Sequence, residues 1–156
     1  MPVNNKILFI LDLDHTLIYG SYAQKEPAEF LFQHNKYLKV YKRNLAEDLV
    51  RLCRNKGDII VYTTALRGYA KTICKRLEIN PTELLSRKHC KVKNGSHKKQ
   101  MKQEWLEQYE KIIVIDDSPN VWLLENEKVD FLVPIEFRGE KEDMGLVKII
   151  EQIEIL

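Results

Sequence analysis

The sequence has no run of about 18 uncharged apolar residues, which excludes a membrane-spanning helix. Its three cysteines, Cys53, Cys74 and Cys90, show no Cys-x-x-Cys spacing, so we expect neither a disulfide framework nor a zinc site. The apolar run at residues 7–11 is too short for a signal peptide and ends in acidic residues. These absences predict a cytoplasmic protein with reduced thiols and no membrane contact.

The chain also has little net charge, because 25 Lys and Arg residues nearly balance 23 Asp and Glu residues and leave a formal charge of +2. The overall charge therefore predicts no specific nucleic-acid partner and no membrane surface. No internal repeat or low-complexity linker divides the 156 residues, which are enough to enclose a core. We expect a single domain over residues 1–156.

The chain is organised around one apolar stretch that runs directly into acidic residues. Residues 7–11 have the composition of a strand buried on both faces, and Asp12 and Asp14 follow at once. A carboxylate is costly to bury unless something compensates its charge. Because ligands bind at the carboxyl ends of parallel strands, we interpret the two acids as part of a site. The alternative is a polar turn in which Asp14 or Thr16 caps the next segment.

Segments with strand character alternate with segments of helical periodicity along the rest of the chain. Strands are predicted at residues 58–64, 88–92, 111–117 and 129–135. Helices are predicted at residues 45–56, 66–77, 98–109 and 141–155, and Asn44 and Gly57 are expected to begin and end the first of them. A helical turn is predicted at 84–85, and a further helix is predicted to begin at Ser118-Pro119. The alternation predicts an α/β fold, a doubly wound three-layer sandwich around a mostly parallel sheet of about five strands.

A hairpin is predicted at about residues 28–42. Residues 29–33 and 37–41 are short β-prone runs on either side of a polar turn, and residues 19–27 before them are expected to form a loop. The hairpin lies next to the acidic stretch in the sequence. The hairpin is either a flap over the site or a peripheral element at the edge of the fold, and the sequence does not decide between these two interpretations.

Polar residues end three of the predicted core strands. Asp12 and Asp14 follow the first strand, Thr63 ends the second, and Asp116 and Asp117 follow a third. Right-handed crossovers would bring these strand ends to one edge of the sheet. Two acidic pairs at one edge would repel each other unless a cation lay between them, and hard oxygen ligands favour Mg²⁺.

The segment from Ser86 to Gln103 is strongly basic. It contains seven Lys and Arg residues, two His residues and no acid. We interpret it as a sign of a phosphorylated substrate, with a solvated surface or a nucleic-acid patch as alternatives. The segment has no aromatic residue on which bases could stack, which weakens the single-stranded nucleic-acid alternative.

The motif at residues 12–16, Asp-Leu-Asp-His-Thr, resembles the Asp-x-Asp-x-Thr motif of the haloacid dehalogenase (HAD) superfamily of phosphotransferases. Further segments resemble the FCP/SCP-like (NLI-interacting-factor-like) phosphatases within that superfamily, in the same order and spacing. These segments are residues 40–43, 61–70, 115–119 and 133–134. The resemblance covers nearly the whole chain and implies a HAD-type fold and a Mg²⁺-dependent phosphatase.

The resemblance also implies roles for the matched residues. Asp12 would be the nucleophile that forms an aspartyl-phosphate, and Asp14 would protonate the leaving oxygen and later activate water. Mg²⁺ would be held by Asp12, by the main-chain carbonyl of Asp14 and by the pair Asp116 and Asp117, with Asp117 as the direct ligand. Thr63 would donate its hydroxyl to a phosphoryl oxygen.

The matching lysine is one of three candidates. The family has a motif with a lysine in this part of the chain, and three residues lie where it is expected: Lys98, Lys99 and Lys102. Alignment back from Asp116 favours Lys99, with Lys98 next. Lys99 would neutralise charge on the transferring group, and Lys98 would contact the substrate. Arg87 falls where the family has a basic residue near the substrate.

Three further residues near the motifs have competing interpretations. Thr64 competes with Thr63 for the phosphate, but strand alternation turns only one of them to the site and the motif favours Thr63. Thr16 is expected to order the loop after the first strand. His15 is expected to have a structural role, because alternation turns it away from the acids on either side.

The expected activity is hydrolysis of phosphomonoesters, with a phosphorylated Ser, Thr or Tyr side chain of a protein as the leading substrate. The segment between the first strand and the first helix is too short for a large cap, so bulky substrates would have access. A small molecule or a nucleic-acid end is the alternative substrate. A non-catalytic phospho-signalling or binding module is the alternative function, although such a module does not need an acid two residues after the nucleophile.

Overall fold

The structure is a computed structural model that describes residues 7–123 and 126–156. Its strands are β1 (Ile7–Leu11), β2 (Ile18–Ser21), β3 (Glu29–Gln33), β4 (Lys39–Lys42), β5 (Asp58–Tyr62), β6 (Glu83–Leu85), β7 (Lys91–Lys93), β8 (Ser96–Lys98), β9 (Lys111–Ile115) and β10 (Val129–Leu132). Its helices are α1 (Ala46–Lys56), α2 (Arg67–Arg76), α3 (Gln103–Gln108) and α4 (Val147–Glu154), with single 3₁₀ turns at Arg87–His89 and Pro119–Val121. None of these helices is long and apolar enough to cross a bilayer.

The central sheet has the strand order β10-β9-β1-β5-β6, and all neighbouring strands are parallel. Alternate side chains of β1 enter two separate cores. Phe9 and Leu11 pack with residues of α1, α2 and α4, whereas Leu8 and Ile10 pack with residues of α3. Fully burying each such side chain contributes roughly 1.5–3 kcal/mol. The five-stranded parallel sheet between two helical layers confirms the predicted α/β fold.

A second sheet, with the order β2-β4-β3, follows β1 in the chain and is antiparallel. β3 and β4 form the predicted hairpin. The predicted loop at 19–27 was wrong at its start, because residues 18–21 pair with β4 as strand β2. A Cβ at Gly20 would lie 2.9 Å from the Tyr69 hydroxyl, so glycine at this position permits close packing inside a strand rather than a turn.

The predictions for residues 84–109 were wrong in three places. Residues 84–85 lie in strand β6 and not in a helical turn, because the exposed edge of β5 supplies their hydrogen bonds. The predicted strand at 88–92 is a 3₁₀ turn followed by β7, and the predicted helix at 98–109 begins only at Gln103. Asn94 and Gly95 have φ angles of 52° and 77°, as a two-residue hairpin turn requires, so β8 returns against β7.

Several helix boundaries also differ from the predictions. Asn44 does not cap α1, because its side-chain amide donates instead to the carbonyl oxygen of Lys141 at 2.9 Å. The helix predicted from Ser118 is only the 3₁₀ turn Pro119–Val121. The last helix begins at Val147 and not at 141, because Asp143 in the preceding segment is paired with Arg43.

Gly57 ends α1 as predicted, but in an extended and not a left-handed conformation, with φ of −174°. Its lack of a side chain matters for a different reason. A Cβ at this position would lie 2.3 Å from the carbonyl oxygen of Ile7. Glycine here lets the chain enter β5 directly beside β1, which places the two strand ends at one edge of the sheet.

Candidate active site

The acidic residues of two strands meet because β1 and β9 are neighbours in register. Leu11 lies opposite Ile115, and the amide of Asp12 donates to the carbonyl oxygen of Ile115 at 3.0 Å. Asp12 and Asp116 therefore leave the sheet side by side, as the parallel topology predicts. Both side chains are almost completely buried.

Lys99 lies between these two carboxylates. Its Nζ is 3.0 Å from Oδ1 of Asp12 and 2.7 Å from Oδ2 of Asp116, and the residue is 1% exposed. Burial lowers the pKa of Lys99, but the two carboxylates outweigh that effect and raise it to about 12. Burial raises the pKa of Asp12 and of Asp116, against the attraction of Lys99. Lys99 is thus held as a cation at the bottom of the site.

Asp116 uses both carboxylate oxygens within the protein. Oδ2 accepts from Lys99 and from the indole N–H of Trp122 at 3.0 Å, and Oδ1 accepts from the amide of Ser118 at 2.9 Å. These donors hold the carboxylate in one orientation. Asp116 is therefore well placed to position Lys99, and Asp117 is the more accessible carboxylate of the pair.

Thr16 connects the two acidic strand ends. Its hydroxyl lies 2.9 Å from Oδ2 of Asp12 and 3.1 Å from Oδ1 of Asp117, and it accepts from the amide of Asp117 at 3.0 Å. The side chain is completely buried. These contacts suit a residue that orders the loop, which is the role the sequence suggests for Thr16.

Three carboxylates are close enough to share a metal ion. Oxygens of Asp12, Asp116 and Asp117 all lie within 4.8 Å of one another. The hydrogen bonds within the described part of the chain also leave the carbonyl oxygen of Asp14 without a donor. Carboxylate and carbonyl oxygens are ligands that Mg²⁺ prefers, so the donor set fits this ion.

Asp14 has a different environment from Asp12, although only one residue separates them. Its Oδ1 accepts from the Tyr69 hydroxyl at 3.1 Å. Burial, and then the charge of Asp12, raise the pKa of Asp14 to about 6. A carboxyl group with such a pKa can both give and take a proton near neutral pH. Tyr69 was not among the predicted site residues, although it lies in the segment 61–70 that resembles the phosphatase family.

A cleft of about 120 Å³ lies in front of these groups. It is lined by Asp12, Asp14, His15, Thr64, Lys99, Asp116, Asp117, Ser118 and Val121. The structure thus brings together the predicted acids of both strand ends and one of the three candidate lysines.

The two candidate threonines occupy different positions. Thr64 lines the cleft, whereas Thr63 is buried and its hydroxyl oxygen accepts from the amide of Ala65 at 3.1 Å. No acceptor for the Thr63 hydroxyl proton is present within the described residues. That proton is free to be donated, so both residues stay candidates for a phosphate contact.

Apart from Lys99, none of the basic candidates is among the described residues that line the cleft. Arg87 is exposed and its Nε donates to the carbonyl oxygen of Thr64 at 2.8 Å, at the rim of the cleft. Lys98 donates to the carbonyl oxygen of Asn120 at 3.1 Å. Lys102 is paired with Glu83 at 2.8 Å, and this pair makes no contact with the acids of the cleft.

His15 has the left-handed φ angle of 67°. Its Nδ1 lies 3.0 Å from the carbonyl oxygen of Phe137 and 3.4 Å from Glu136, so the ring holds the Asp12–Thr16 loop against the segment after β10. These are structural contacts, as the sequence suggests for this residue.

The fold and the site together indicate the class of protein to which this chain belongs. In this parallel α/β sheet, acids follow two neighbouring strands, which is the arrangement that the resemblance to HAD phosphatases implies. The family model of NLI interacting factor-like phosphatases matches residues 7–156, and the chain belongs to this family.

Comparison with known proteins agrees with this assignment. The chain is 26% identical over 157 residues to a Dictyostelium discoideum protein named "Probable C-terminal domain small phosphatase", covering 94% of this chain and 49% of that protein. It is 26% identical over 126 residues to an Encephalitozoon cuniculi protein named as a C-terminal domain phosphatase of RNA polymerase II, covering 78% of this chain and 30% of that protein. The chain thus spans half or less of the length of these relatives.

A solved structure has the same fold. A variant of the fission yeast RNA polymerase II CTD phosphatase Fcp1, bound to beryllium fluoride, superposes with a TM-score of 0.62 at 17% identity, covering 97% of this chain and 50% of that one. At this identity the likeness concerns the fold alone.

Proposed function

We propose that this chain is a Mg²⁺-dependent phosphomonoester hydrolase that acts through an aspartyl-phosphate on Asp12. One observation carries the proposal. A buried lysine cation holds Asp12 in place, and a second carboxyl group with a pKa of about 6 stands two residues further along the chain. The arrangement supplies a nucleophile, a charge-neutralising group and an acid–base group around one cleft.

In the first step, a carboxylate oxygen of Asp12 attacks the phosphorus of the substrate. The new O–P bond forms as the bond to the leaving oxygen breaks, and Asp14 gives its proton to that oxygen. Lys99 and Thr16 fix the two oxygens of Asp12 at 3.0 and 2.9 Å, so the nucleophile is oriented before the substrate arrives.

In the second step, water attacks the phosphorus of the aspartyl-phosphate. Asp14, which is now a carboxylate, takes a proton from that water, the bond between phosphorus and Asp12 breaks, and inorganic phosphate leaves. The Tyr69 hydroxyl keeps the Asp14 side chain in one orientation through both steps. Asp14 is regenerated as an acid.

Positive charge and hydrogen-bond donors would stabilise the phosphoryl oxygens during both transfers. Lys99 would supply the charge, and the hydroxyl proton of Thr63 would supply a donor. Thr64 in the cleft, Arg87 beside it and Lys98 beside Asn120 would be further contacts to the substrate. Asp12, Asp117 and the carbonyl of Asp14 would hold Mg²⁺, with Asp116 behind them. When bound, the ion would screen the repulsion between an anionic nucleophile and an anionic phosphate.

We further propose a phosphorylated protein side chain as the substrate class and the cytoplasm as the compartment. Two relatives carry the names of C-terminal domain phosphatases, one of them of RNA polymerase II, which supports a protein substrate. A cleft at the surface suits a side chain presented by a protein. Cys53, Cys74 and Cys90 are all unpaired, which supports a reducing compartment.

The test is hydrolysis of p-nitrophenyl phosphate with Mg²⁺, with EDTA, and by the Asp12→Asn variant. We expect EDTA and Asp12→Asn each to abolish turnover, while Asp48→Asn on the exposed face of α1 serves as a matched control and retains it. Activity that survives Asp12→Asn or chelation would overturn the mechanism. A long-lived phosphate on Asp12 without release would instead indicate a phospho-signalling module.

A panel of phosphopeptides, nucleotides and sugar phosphates tests the substrate class. We expect kcat/KM to be highest for phosphopeptides, because the cleft is open at the surface. A higher kcat/KM for a nucleotide end or a sugar phosphate would assign the activity to a small-molecule or nucleic-acid substrate.

A further inference from the structure

A second cavity, of about 950 Å³, shares a wall with the catalytic cleft. We name it the lysine trough, and its lining includes Lys91, Lys93, Gln100, Asn120, Trp122 and Phe131. The shared wall is the 3₁₀ turn Pro119–Val121 and the residues beside it. Ser118 and Val121 line the cleft, whereas Pro119 and Asn120 line the trough. A ligand that crosses this turn would occupy both cavities.

The trough is built on the same backbone that positions Lys99. The amide of Lys99 donates to the carbonyl oxygen of Val121 at 2.7 Å, and its own carbonyl accepts from Leu123 at 3.1 Å. Trp122, which lines the trough, donates its indole N–H to Asp116 at 3.0 Å. The trough is therefore held at a fixed position relative to the carboxylates of the cleft.

One wall of the trough is the β7–β8 hairpin. Strand alternation places Lys91 and Lys93 on one face of β7, and Lys98 of β8 lies directly opposite Lys91. The tight turn at Asn94-Gly95 holds the two strands in this register. Three lysines thus lie on one face of this hairpin, and two of them, Lys91 and Lys93, line the trough.

In the described part of the chain, none of these three lysines pairs with a carboxylate, and Lys98 donates to the carbonyl oxygen of Asn120 at 3.1 Å. The part of the trough that the structure describes is lined by no acidic residue. Like charges directly opposite in a two-stranded sheet destabilise it, so this arrangement works against the hairpin's own stability. An anion in the trough would remove that repulsion.

We propose that the lysine trough binds a second phosphoryl group on the same substrate whose first phosphate enters the catalytic cleft, so that multiply phosphorylated peptides are the preferred substrates. The inference rests on the proposed phosphatase activity. Lysine ammonium groups act as point charges toward phosphate, and Gln100 and Asn120 can add hydrogen bonds.

A phosphopeptide suits the trough better than a nucleic acid does. Binding of single strands relies on exposed aromatic faces, but Trp122 is only 7% exposed and packs edge-on against Phe131 at 6.1 Å. The trough therefore offers charge without a stacking platform, which fits a compact phosphate on a peptide.

The experiment compares synthetic peptides of one sequence at fixed ionic strength, because salt screens exposed charges. One peptide carries a single phosphoserine, and the others carry a second phosphoserine moved one residue at a time along either side of the first. We expect kcat/KM for the best doubly phosphorylated peptide to be about tenfold higher than kcat/KM for the singly phosphorylated peptide, which corresponds to about 1.4 kcal/mol of extra binding. A general change in activity affects both values equally, so the ratio of the two kcat/KM values does not depend on it.

In the Lys91→Gln/Lys93→Gln variant we expect this ratio to fall to near one. The matched control is Lys71→Gln/Lys75→Gln, which removes the same charge from the exposed side of α2 and should leave the ratio unchanged. A ratio that is near one in the wild type, or that survives in the Lys91→Gln/Lys93→Gln variant, overturns the proposal.

Binding to the Asp12→Asn protein, measured by fluorescence anisotropy, tests the trough without turnover. We expect the doubly phosphorylated peptide to bind more tightly than the singly phosphorylated one, and the two lysine substitutions to remove the difference. Tighter binding of a single-stranded oligonucleotide, lost with the same substitutions, would assign the trough to nucleic acid and overturn the peptide proposal. Failure to hydrolyse p-nitrophenyl phosphate would reject the proposed activity while this binding result still stands.

Discussion

Two buried cations, Lys99 and Arg43, contact the Asp12–Thr16 segment, and the protein uses them in different ways. Arg43 is completely buried and donates to Asp143 at 2.6 and 3.0 Å, to the carbonyl oxygen of Thr16 at 3.2 Å and to that of Ile135 at 2.7 Å. Its guanidinium ties the segment after β10 to the loop that carries Asp12 and Asp14. The Lys99 ammonium group instead donates to the carboxylates of Asp12 and Asp116, and Lys99 lines the cleft.

The difference follows from the chemistry of the two side chains. A guanidinium is a planar fork that matches fixed carbonyl and carboxylate oxygens, so all of its positions can be filled inside the protein. An ammonium group has three donors, and two carboxylates leave one of them for a phosphate in the cleft. Arg43 is therefore expected to stabilise the fold, and Lys99 to accelerate the reaction.

The largest effect is expected for Lys99→Met, because it removes the positive charge that would face a phosphoryl group in the cleft under the proposed mechanism. We expect kcat on p-nitrophenyl phosphate to fall by about 10³, the size of effect seen when one preorganised donor is removed. The matched control is Lys102→Met, whose side chain pairs with Glu83 outside the cleft, and it should change kcat less than about twofold. A decrease in kcat of less than tenfold for Lys99→Met would contradict the proposed role of Lys99 in the reaction.

Arg43→Met is expected to act on stability. It leaves the Asp143 carboxylate, whose side chain is 10% exposed, without its partner, and it removes donors from two carbonyl oxygens. The free energy of unfolding in urea should fall by about 3–5 kcal/mol. Arg51→Met, which breaks an exposed pair with Asp48, should cost less than about 1 kcal/mol. If the Arg43→Met variant kept full stability but lost activity, Arg43 would act in catalysis and not in stability, which would contradict the comparison.

Asp14→Asn is expected to change how stability depends on pH in metal-free buffer with a chelator. Burial, and then the charge of Asp12, raise the pKa of Asp14 from 3.8 to about 6 in the folded state. The folded protein therefore holds this proton more tightly than the unfolded chain, and the contribution to stability is lost as pH rises from 3.8 through about 6.

The asparagine variant does not titrate at this position and keeps an acceptor for Tyr69. Its unfolding free energy should gain about 3 kcal/mol relative to the wild type between about pH 4 and pH 7, as measured by urea denaturation across that range. A difference that stays constant with pH would show that the Asp14 pKa is not raised.

The smallest effect is expected for Gly145→Ala, which tests how tightly Arg43 is enclosed. A Cβ at Gly145 would lie 1.8 Å from Nη2 of Arg43, so the guanidinium must move. We expect a loss of about 1–3 kcal/mol in the free energy of unfolding. Gly68→Ala in α2 meets nothing within 4 Å and should stabilise the protein by up to about 1 kcal/mol. Equal effects of the two substitutions would mean that the Arg43 contact is not rigid.

The long apolar strands could be predicted from the sequence, but β2, β6 and β8 could not. β1, β5 and β9 are buried on both faces, so hydrophobic composition alone marks them. β2, β6 and β8 have only three or four residues each and depend on a neighbouring strand for their hydrogen bonds. The Asn94-Gly95 pair was a usable local signal for the β7–β8 hairpin, and the helix prediction at 98–109 overlooked it.

The strands β1, β5 and β9 and the polar residues that end them follow from the sequence alone, because burial on both faces demands unbroken apolar runs and makes the polar residues after them conspicuous. Tertiary packing selected which of Lys98, Lys99 and Lys102 lies against Asp12, since a bridge to residues 121–123 turns only Lys99 inward. It also brought Tyr69 against Asp14 and fastened the Asp12–Thr16 loop to Arg43. These contacts join residues 27 to 87 positions apart, so their geometry depends on how separate elements pack and not on any local pattern.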